Sequence, residues 1–181
     1  MQQKTKYLAM SALCTALMVV GAYLRFPLPF LAVQFTTQVF FLLVTGLVLP
    51  PKYSAGALLA YVLLGLIGLP VFSQGGGLQT ILTPNFGYLL GFIFSAYITA
   101  LLHKRIQGKK WAYIVPAIIG VFAVYAIALP YVALLATLYQ AKPVAFETLM
   151  KGYFLAFLPL DLVKAAGAAL VASQVRKALR Y

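Results

Sequence analysis

Leu158-Pro159-Leu160-Asp161-Leu162-Val163-Lys164 sets one acid and one base, three residues apart, inside a run that is otherwise apolar. Read as helix, the run places Asp161 and Lys164 on one face, a turn apart, where the two side chains can meet. Asp161 is one of only two acids in 181 residues. An ionisable group at membrane depth costs about 3 kcal/mol on insertion scales unless it is paired or faces a cavity. The pair therefore marks a binding site by default. The competing reading is an internal salt bridge that only locks two helices together.

The setting of that pair is lipid-like throughout. The chain is 64% hydrophobic and 9% charged, with a mean hydropathy of +0.97, whereas an ordinary soluble domain is about a quarter charged. An all-α integral membrane protein follows. At roughly 20 apolar residues per span there is room for about six transmembrane helices in a single domain, residues 1 to 181, and for no soluble domain. The net charge of +12 does not point to nucleic acid, because Lys and Arg sit at the ends of apolar runs and mark topology. Cys14 is the single cysteine and lies in an apolar run, so it reads as a small packing residue.

The sixth span, residues 152 to 173, is expected to kink at Pro159, just before Asp161. Lys142, Glu147 and Lys151 mark the loop before it. The fifth span runs from Trp111, an interfacial anchor, to Tyr139, and Pro116 and Pro130 interrupt it. The carbonyl freed by Pro130 is expected to line a cavity. The fourth span, residues 84 to 102, starts at Thr83-Pro84, with Thr as N-cap and Pro at the first helical position. Its first turn carries Asn85, Gly87 and Tyr88, and its free N–H groups can hold a carboxylate. Gly87, Gly91 and Ser95 continue a small-residue packing stripe. His103 falls in the densest basic loop and reads as a solvated histidine.

Residues 69 to 83 form the longest charge-free connection. Gly75, Gly76 and Gly77 make it pliable, while Val71, Phe72, Leu78, Ile81 and Leu82 prefer to be covered. It reads as a lid over an apolar ligand, against a re-entrant plug that only packs between helices. The third span, residues 53 to 68, carries Gly56 and Ala60 at packing spacing. The second, residues 36 to 49, is short, and Gln34-Phe35-Thr36-Thr37-Gln38 before it is polar for a segment heading into lipid. Thr36 either caps the helix or faces a cavity, and Gln38 is assigned to the cavity. The first span, residues 7 to 24, ends at Arg25, Pro27 and Pro29 and reads as a retained helix, not a cleaved signal. Its Ala12 and Ala16 allow close approach of another helix.

With the N-terminus inside, ten basic residues fall on the inner side: Lys4, Lys6, Lys52, those of the 104–110 loop, and Arg176, Lys177 and Arg180. Arg25, Lys142 and Lys151 fall outside, and Lys164 lies in the membrane. This bias places both termini in the cytoplasm. The lid, the polar stretch before the second span, the start of the fourth and Asp161 all fall toward the outer side.

One Asp, one Glu, one His and one Cys cannot supply the paired acids, metal ligands or nucleophile–base sets of an intramembrane enzyme. Gly108-Lys109-Lys110 lacks the earlier glycine and the hydroxyl of a phosphate loop, so the chain cannot hydrolyse ATP alone. Binding, transport or assembly remain. A pocket with a carboxylate, an ammonium, amides and aromatics suits a small amphipathic ligand.

Phe35-Thr36-Thr37-Gln38, the run from Gly65 to Phe72 with Gly75 to Gly77, the run from Pro84 to Phe92, and Leu158 to Lys164 together resemble the BioY family. These are biotin-specific substrate-binding components of energy-coupling-factor transporters. The chain departs from the family's pattern at Asn85, where Thr is usual, and at Pro50-Pro51, which stands for a Gly-Pro turn. The resemblance implies a six-helix protein of the prokaryotic plasma membrane that captures biotin from outside without a cofactor. It implies a transmembrane coupling subunit and two ATPases as partners, with Ala12 and Ala16 docking the former. It also implies that Asp161, Lys164, Asn85, Tyr88, Gln38, Thr36, Phe72 and Gly75 to Gly77 surround the ligand. Asp161 and Lys164 are assigned to the ureido head and Asn85, Tyr88 and the start of the fourth span to the carboxylate, the alternative being Lys164 on the valerate. The rival function is a small proton-coupled secondary transporter of an amphipathic carboxylate with Asp161 as its coupling group; it needs an inverted repeat, and none is visible.

Overall fold

The computed structural model describes residues 2–26, 35–139 and 144–179. The expectations placed on Pro27, Pro29, Gln34, Lys142 and Arg180 lie outside the described residues. The chain is helical almost throughout. Helix α1 (Gln2–Tyr23) leads into a short antiparallel ribbon, β1 (Arg25–Phe26) against β2 (Phe35–Thr36), with Arg25 opposite Thr36. Then follow α2 (Gln38–Val48), α3 (Pro51–Leu66), a 3-10 turn (Leu78–Leu82), α4 (Pro84–Arg105), α5 (Ile114–Leu138), the single turn α6 (Phe146–Met150), a π turn (Lys151–Leu155) and α7 (Leu158–Ala178).

Four helical stretches among the described residues are long and apolar enough to cross a membrane: Gln3–Tyr23, Pro84–Arg105, Ile114–Leu138 and Phe146–Ala178. Large apolar side chains such as Leu8, Leu13, Leu63, Phe94, Phe122, Leu134 and Val163 stand exposed on the helix flanks. Water would not tolerate so much apolar surface, and lipid does. Helix α2 has 11 residues, about 16 Å at 1.5 Å per residue. It has no polar face because it has no exposed face: Val39, Leu42, Leu43, Thr45, Leu47 and Val48 are all buried. It forms the axis around which α1, α4 and α7 pack.

Small residues set the closest approaches. A Cβ on Gly91 would stand 2.7 Å from the Val124 carbonyl oxygen, and Ser95 Oγ donates to the Gly120 carbonyl at 2.7 Å. The stripe of Gly87, Gly91 and Ser95 is thus the contact of α4 with α5. Cys14 packs in the core beside Met18, and Thr15 Oγ1 donates to the Ala57 carbonyl at 2.9 Å, tying α1 to α3.

Several expectations are corrected. Pro159 does not kink a continuous sixth helix; it stands in the first turn of α7, after the α6–π stretch has ended. There its missing N–H is one the helix leaves unpaired anyway. Glu147 and Lys151 belong to that helical stretch, and form an exposed ion pair at 2.5 Å. Gly56 and Ala60 do not face a neighbour: both are exposed, and a Cβ on Gly56 would meet nothing within 4 Å. The buried face of α3 is Ser54, Ala57, Leu58 and Tyr61. The carbonyl that Pro130 frees belongs to Ala126, which is exposed and lines neither of the two cavities described below. His103 is not solvated, since it is 3% exposed and its Nδ1 lies 2.7 Å from the Ala112 carbonyl. Thr83 does occupy the N-cap of α4, but its hydroxyl donates back to Thr80 O at 2.7 Å and leaves the helix N–H groups uncapped.

Candidate functional site

The first turns of α2, α4 and α7 converge at one end of the bundle, and the 69–83 loop lies across them. Between them is a cavity of about 120 Å³. A second cavity at the other end is larger, 280 Å³, so size does not single out the ligand site. Chemistry does: the smaller cavity joins the buried ion pair to amides, hydroxyls and aromatic rings.

The ion pair comes from one turn of α7. Lys164 Nζ lies 2.8 Å from Asp161 Oδ1, and Asp161 is 5% exposed. Asp161 Oδ2 accepts a hydrogen bond from the Tyr125 hydroxyl at 2.5 Å. Lys164 Nζ donates a further bond to the Thr36 carbonyl at 2.7 Å and stands 3.8 Å above the centre of the Phe35 ring. The charges are thus desolvated but compensated, by each other, by a phenol, by a carbonyl and by an aromatic face. The pair lines the cavity and reaches two other elements, α5 through Tyr125 and β2 through Phe35 and Thr36.

A second network sets the loop. Thr36 Oγ1 donates to Gln38 Oε1 at 3.1 Å, Gln38 Nε2 donates to the Tyr61 hydroxyl at 2.7 Å, and that hydroxyl donates to the Val71 carbonyl at 3.0 Å. Thr36 and Gln38 both line the cavity. For Thr36 the two readings merge, because its Oγ1 also accepts a long bond, 3.4 Å, from the Gln38 N–H. The N-cap position itself belongs to Thr37.

From α4, Asn85 and Tyr88 face the cavity. Among the described residues the Asn85 side chain has no hydrogen-bond partner. The Tyr88 hydroxyl is spent, donating to the Tyr153 carbonyl at 2.6 Å, so Tyr88 offers the cavity its ring. That ring meets Tyr125 edge-on at 6.1 Å. Phe72 lines the cavity and is buried against Tyr61. Gly75, Gly76 and Gly77 do not line it. They shape the turn that presents their neighbours Ser73, Gln74, Gln79 and Thr80, which do. Gly75 and Gly77 have φ of 104° and 109°, a left-handed backbone that a side chain would strain, and Phe72 and Gly75 exchange backbone hydrogen bonds at 2.9 and 3.1 Å.

The loop is anchored on three sides: Tyr23 donates to Pro70, Arg25 to Ser73 and Tyr131 to Ile81, each to a carbonyl. Contrary to the expectation that its apolar residues are covered, Leu78 and Leu82 are exposed. Only Phe72 is fully buried.

The residue that sequence reasoning missed is Tyr125. It sits in the most hydrophobic helix with no polar neighbour in the chain, but a phenol in mid-span needs a hydrogen-bond partner, and that need was the available signal. Ala12 and Ala16 lie well away from the cavity, exposed on α1.

This geometry has relatives. Residues 1–181 match the BioY family. The chain is 35% identical over 180 residues to a probable biotin transporter BioY of Lysinibacillus sphaericus, covering 99% of this chain and 91% of that protein. It is 35% identical over 176 residues to a biotin transporter BioY of Thermotoga maritima, covering 95% and 96%. The fold matches a crystal structure of the S-component for biotin from an ECF-type ABC transporter with a TM-score of 0.83, at 26% identity over 97% of this chain and 93% of that one. The match spans every element that builds the cavity, and on it the chain belongs to the BioY family.

Proposed function

We propose that this chain binds biotin in the Asp161–Lys164 cavity and delivers it across the membrane as the substrate-binding S-component of an energy-coupling-factor transporter. The observation that carries the reading is a buried carboxylate–ammonium pair opening onto a cavity walled by Tyr88, Phe92, Tyr125 and Phe157. Biotin's ureido ring offers two N–H donors and a carbonyl, its thiophane ring is apolar, and its valerate ends in a carboxylate.

The donor and acceptor count fits that head. A carboxylate has about four lone-pair sites, and Asp161 spends one on Lys164 and one on Tyr125. Two remain for the two ureido N–H groups. Lys164 has three donors and spends two, on Asp161 and Thr36. The third suits the ureido oxygen. The valerate carboxylate falls to the Asn85 amide and the first N–H groups of α4; because Tyr88 is committed to Tyr153, it contributes packing. The reverse orientation, with Lys164 on the valerate, is separated by biotin methyl ester. If the ester loses affinity in the wild type but not in a folded Lys164→Ala variant, Lys164 holds the tail.

The rest of the assignment concerns the assembly. The chain makes six spans, with α2 and α3 as the short ones and only α2 enclosed by the bundle, and both termini face the cytoplasm of a prokaryotic cell. Partners are a transmembrane coupling subunit docked on the Ala12–Ala16 face and two ATPases. The chain itself catalyses no reaction and needs no cofactor. Purified protein should bind biotin with no ion gradient. Proton-driven uptake in vesicles lacking the ATPases, without gradient-free binding, would overturn the proposal in favour of a secondary transporter.

A further inference from the structure

Tyr61 stands on α3, is fully buried and does not line the Asp161–Lys164 cavity, yet it touches both the wall of that cavity and the loop that lies across it. One carbonyl orders every donor in the chain of hydrogen bonds that Tyr61 joins. The Val71 carbonyl only accepts, so the Tyr61 hydroxyl spends its single proton there, at 3.0 Å. Its oxygen is left to accept, and the Gln38 amide turns Nε2 toward it, at 2.7 Å. Gln38 Oε1 therefore faces Thr36 and takes the proton of its hydroxyl, at 3.1 Å. Thr36 in turn gives its carbonyl to Lys164. The chain runs from the buried ion pair through Thr36 and Gln38, both residues of the cavity wall, to the backbone of the loop.

The same residue forms part of a seat for the loop. Gly65 lies four residues on, on the same face of α3. The Phe72 ring meets Tyr61 edge-on, with centroids 5.4 Å apart, and a Cβ on Gly65 would overlap that ring. The Gly65 carbonyl takes the Gly77 N–H at 2.7 Å, so α3 holds residues 71 to 77 at both ends. Phe72, within this segment, is buried and lines the cavity. Tyr23 and Tyr131 also hold the loop, but among the described residues their bonds to Pro70 and Ile81 are not continued to the cavity wall.

Taking the Asp161–Lys164 cavity as the biotin site, on which this inference rests, we propose that Tyr61 is a positioning residue for retention of the ligand. It touches no ligand atom. Its hydroxyl couples Gln38 in the cavity wall to the Val71–Phe72 backbone, so that a ligand engaged beside Gln38 holds Phe72 closed over it. Tyr61→Phe keeps the ring and its edge contact with Phe72 but removes the one group that bonds both partners. The Val71 carbonyl then has no donor from α3, and Gln38 Nε2 loses its acceptor. Loosening the seat does not slow entry, which needs the loop open; it speeds escape, so the loss falls on the dissociation rate.

The experiment measures biotin association and dissociation rates and amide hydrogen exchange on the purified full chain. In the wild type, exchange at residues 71 to 77 should slow when biotin is added; a wild type that binds biotin without that slowing overturns the coupling. In Tyr61→Phe, biotin should dissociate about fivefold faster at an association rate no lower than the wild type's, and the slowing at 71 to 77 should be lost. Tyr131→Phe, which frees only the Ile81 end of the loop, should keep it. A wild-type dissociation rate in Tyr61→Phe, or undiminished slowing there, overturns the role, even where the melting temperature falls. Loss of the slowing in both tyrosine variants overturns a coupling specific to Tyr61. If Tyr61→Phe does not fold, Gly65→Ala, a change that suits a helix and displaces Phe72 from the same seat, must show the faster dissociation, and a wild-type rate there overturns the seat. Should the wild type bind no biotin, it is the biotin site that fails, and Tyr61 is then read in the free protein. There Tyr61→Phe must speed exchange at 71 to 77 and leave α4 unchanged, and unaltered exchange overturns its hold on the loop.

Discussion

Asp161 is accommodated in an apolar bundle because both of its oxygens are hydrogen-bonded before any ligand arrives, one by Lys164 and one by Tyr125. Removing one partner of such a set leaves buried groups unpaired, which is worth about 1.5–3 kcal/mol per charged hydrogen bond. Asp161→Asn keeps the shape and drops the charge. It should weaken biotin binding by about a hundredfold in a protein that still folds, measured by calorimetry on purified protein. Tyr125→Phe removes only the hydroxyl and should cost about tenfold; unchanged affinity would reduce Tyr125 to packing. Should Asp161→Asn and Lys164→Ala both fold and bind like wild type, the pair is only a salt bridge. The pair was legible in sequence because charge inside an apolar run is conspicuous. Its phenol partner on a distant helix was not, since 36 residues separate them and only folding brings them together. His103 was misread for a related reason: its neighbours Lys104 and Arg105 are exposed, but the helix turns its ring inward beneath Tyr113.

At the level of elements, the 69–83 connection is where local sequence said least about geometry. Its glycines do not supply general slackness. A Cβ on Gly76 would collide with the Leu69 carbonyl oxygen, and Gly77 N–H donates to the Gly65 carbonyl at 2.7 Å, so the run is a specific tight turn. What holds the loop to the bundle are separate single contacts, from the hydroxyls of Tyr23, Tyr61 and Tyr131, the Arg25 guanidinium and the Gly77 N–H. Such attachments open locally at a small fraction of the global unfolding free energy. Amide hydrogen exchange over residues 71 to 82 should therefore slow when biotin is added. Tyr131→Phe should speed exchange there in the free protein and leave α2 and α4 unchanged. Unaltered exchange on adding biotin would favour a static plug. Gly76→Ala should lower biotin affinity by distorting the turn that presents Phe72 and Gln79, with circular dichroism showing the helices intact. The α6–π–α7 break was likewise partly legible. Pro159 announced an interruption, but a helix start and a kink carry the same proline signal, and only the π turn before it decides between them.

For the whole molecule, composition alone gave an all-helical membrane protein, because so few charges in so apolar a chain leave no other class. Which small residues face inward was not recoverable from spacing. Ala12 and Ala16 on α1 and Gly56 and Ala60 on α3 all repeat every four residues, and all four are exposed. Spacing sets a face but not the partner of that face, which here is absent from the chain's own core. Helices α1 and α3 pack together through Thr15 and Ala57, so their small-residue faces flank one contact and belong to the outside of the bundle, away from the Asp161–Lys164 cavity. Under the proposed assignment of docking to that face, docking and ligand capture should be independently breakable. Ala12→Trp adds bulk to an exposed position and should change stability by no more than about 0.5 kcal/mol, leaving biotin affinity at the wild-type value. In membranes co-expressing the coupling subunit and both ATPases, the same variant should no longer co-purify with them. A variant that instead weakens biotin binding while the complex still assembles would show that α1 supports the pocket and that the coupling subunit docks on another face.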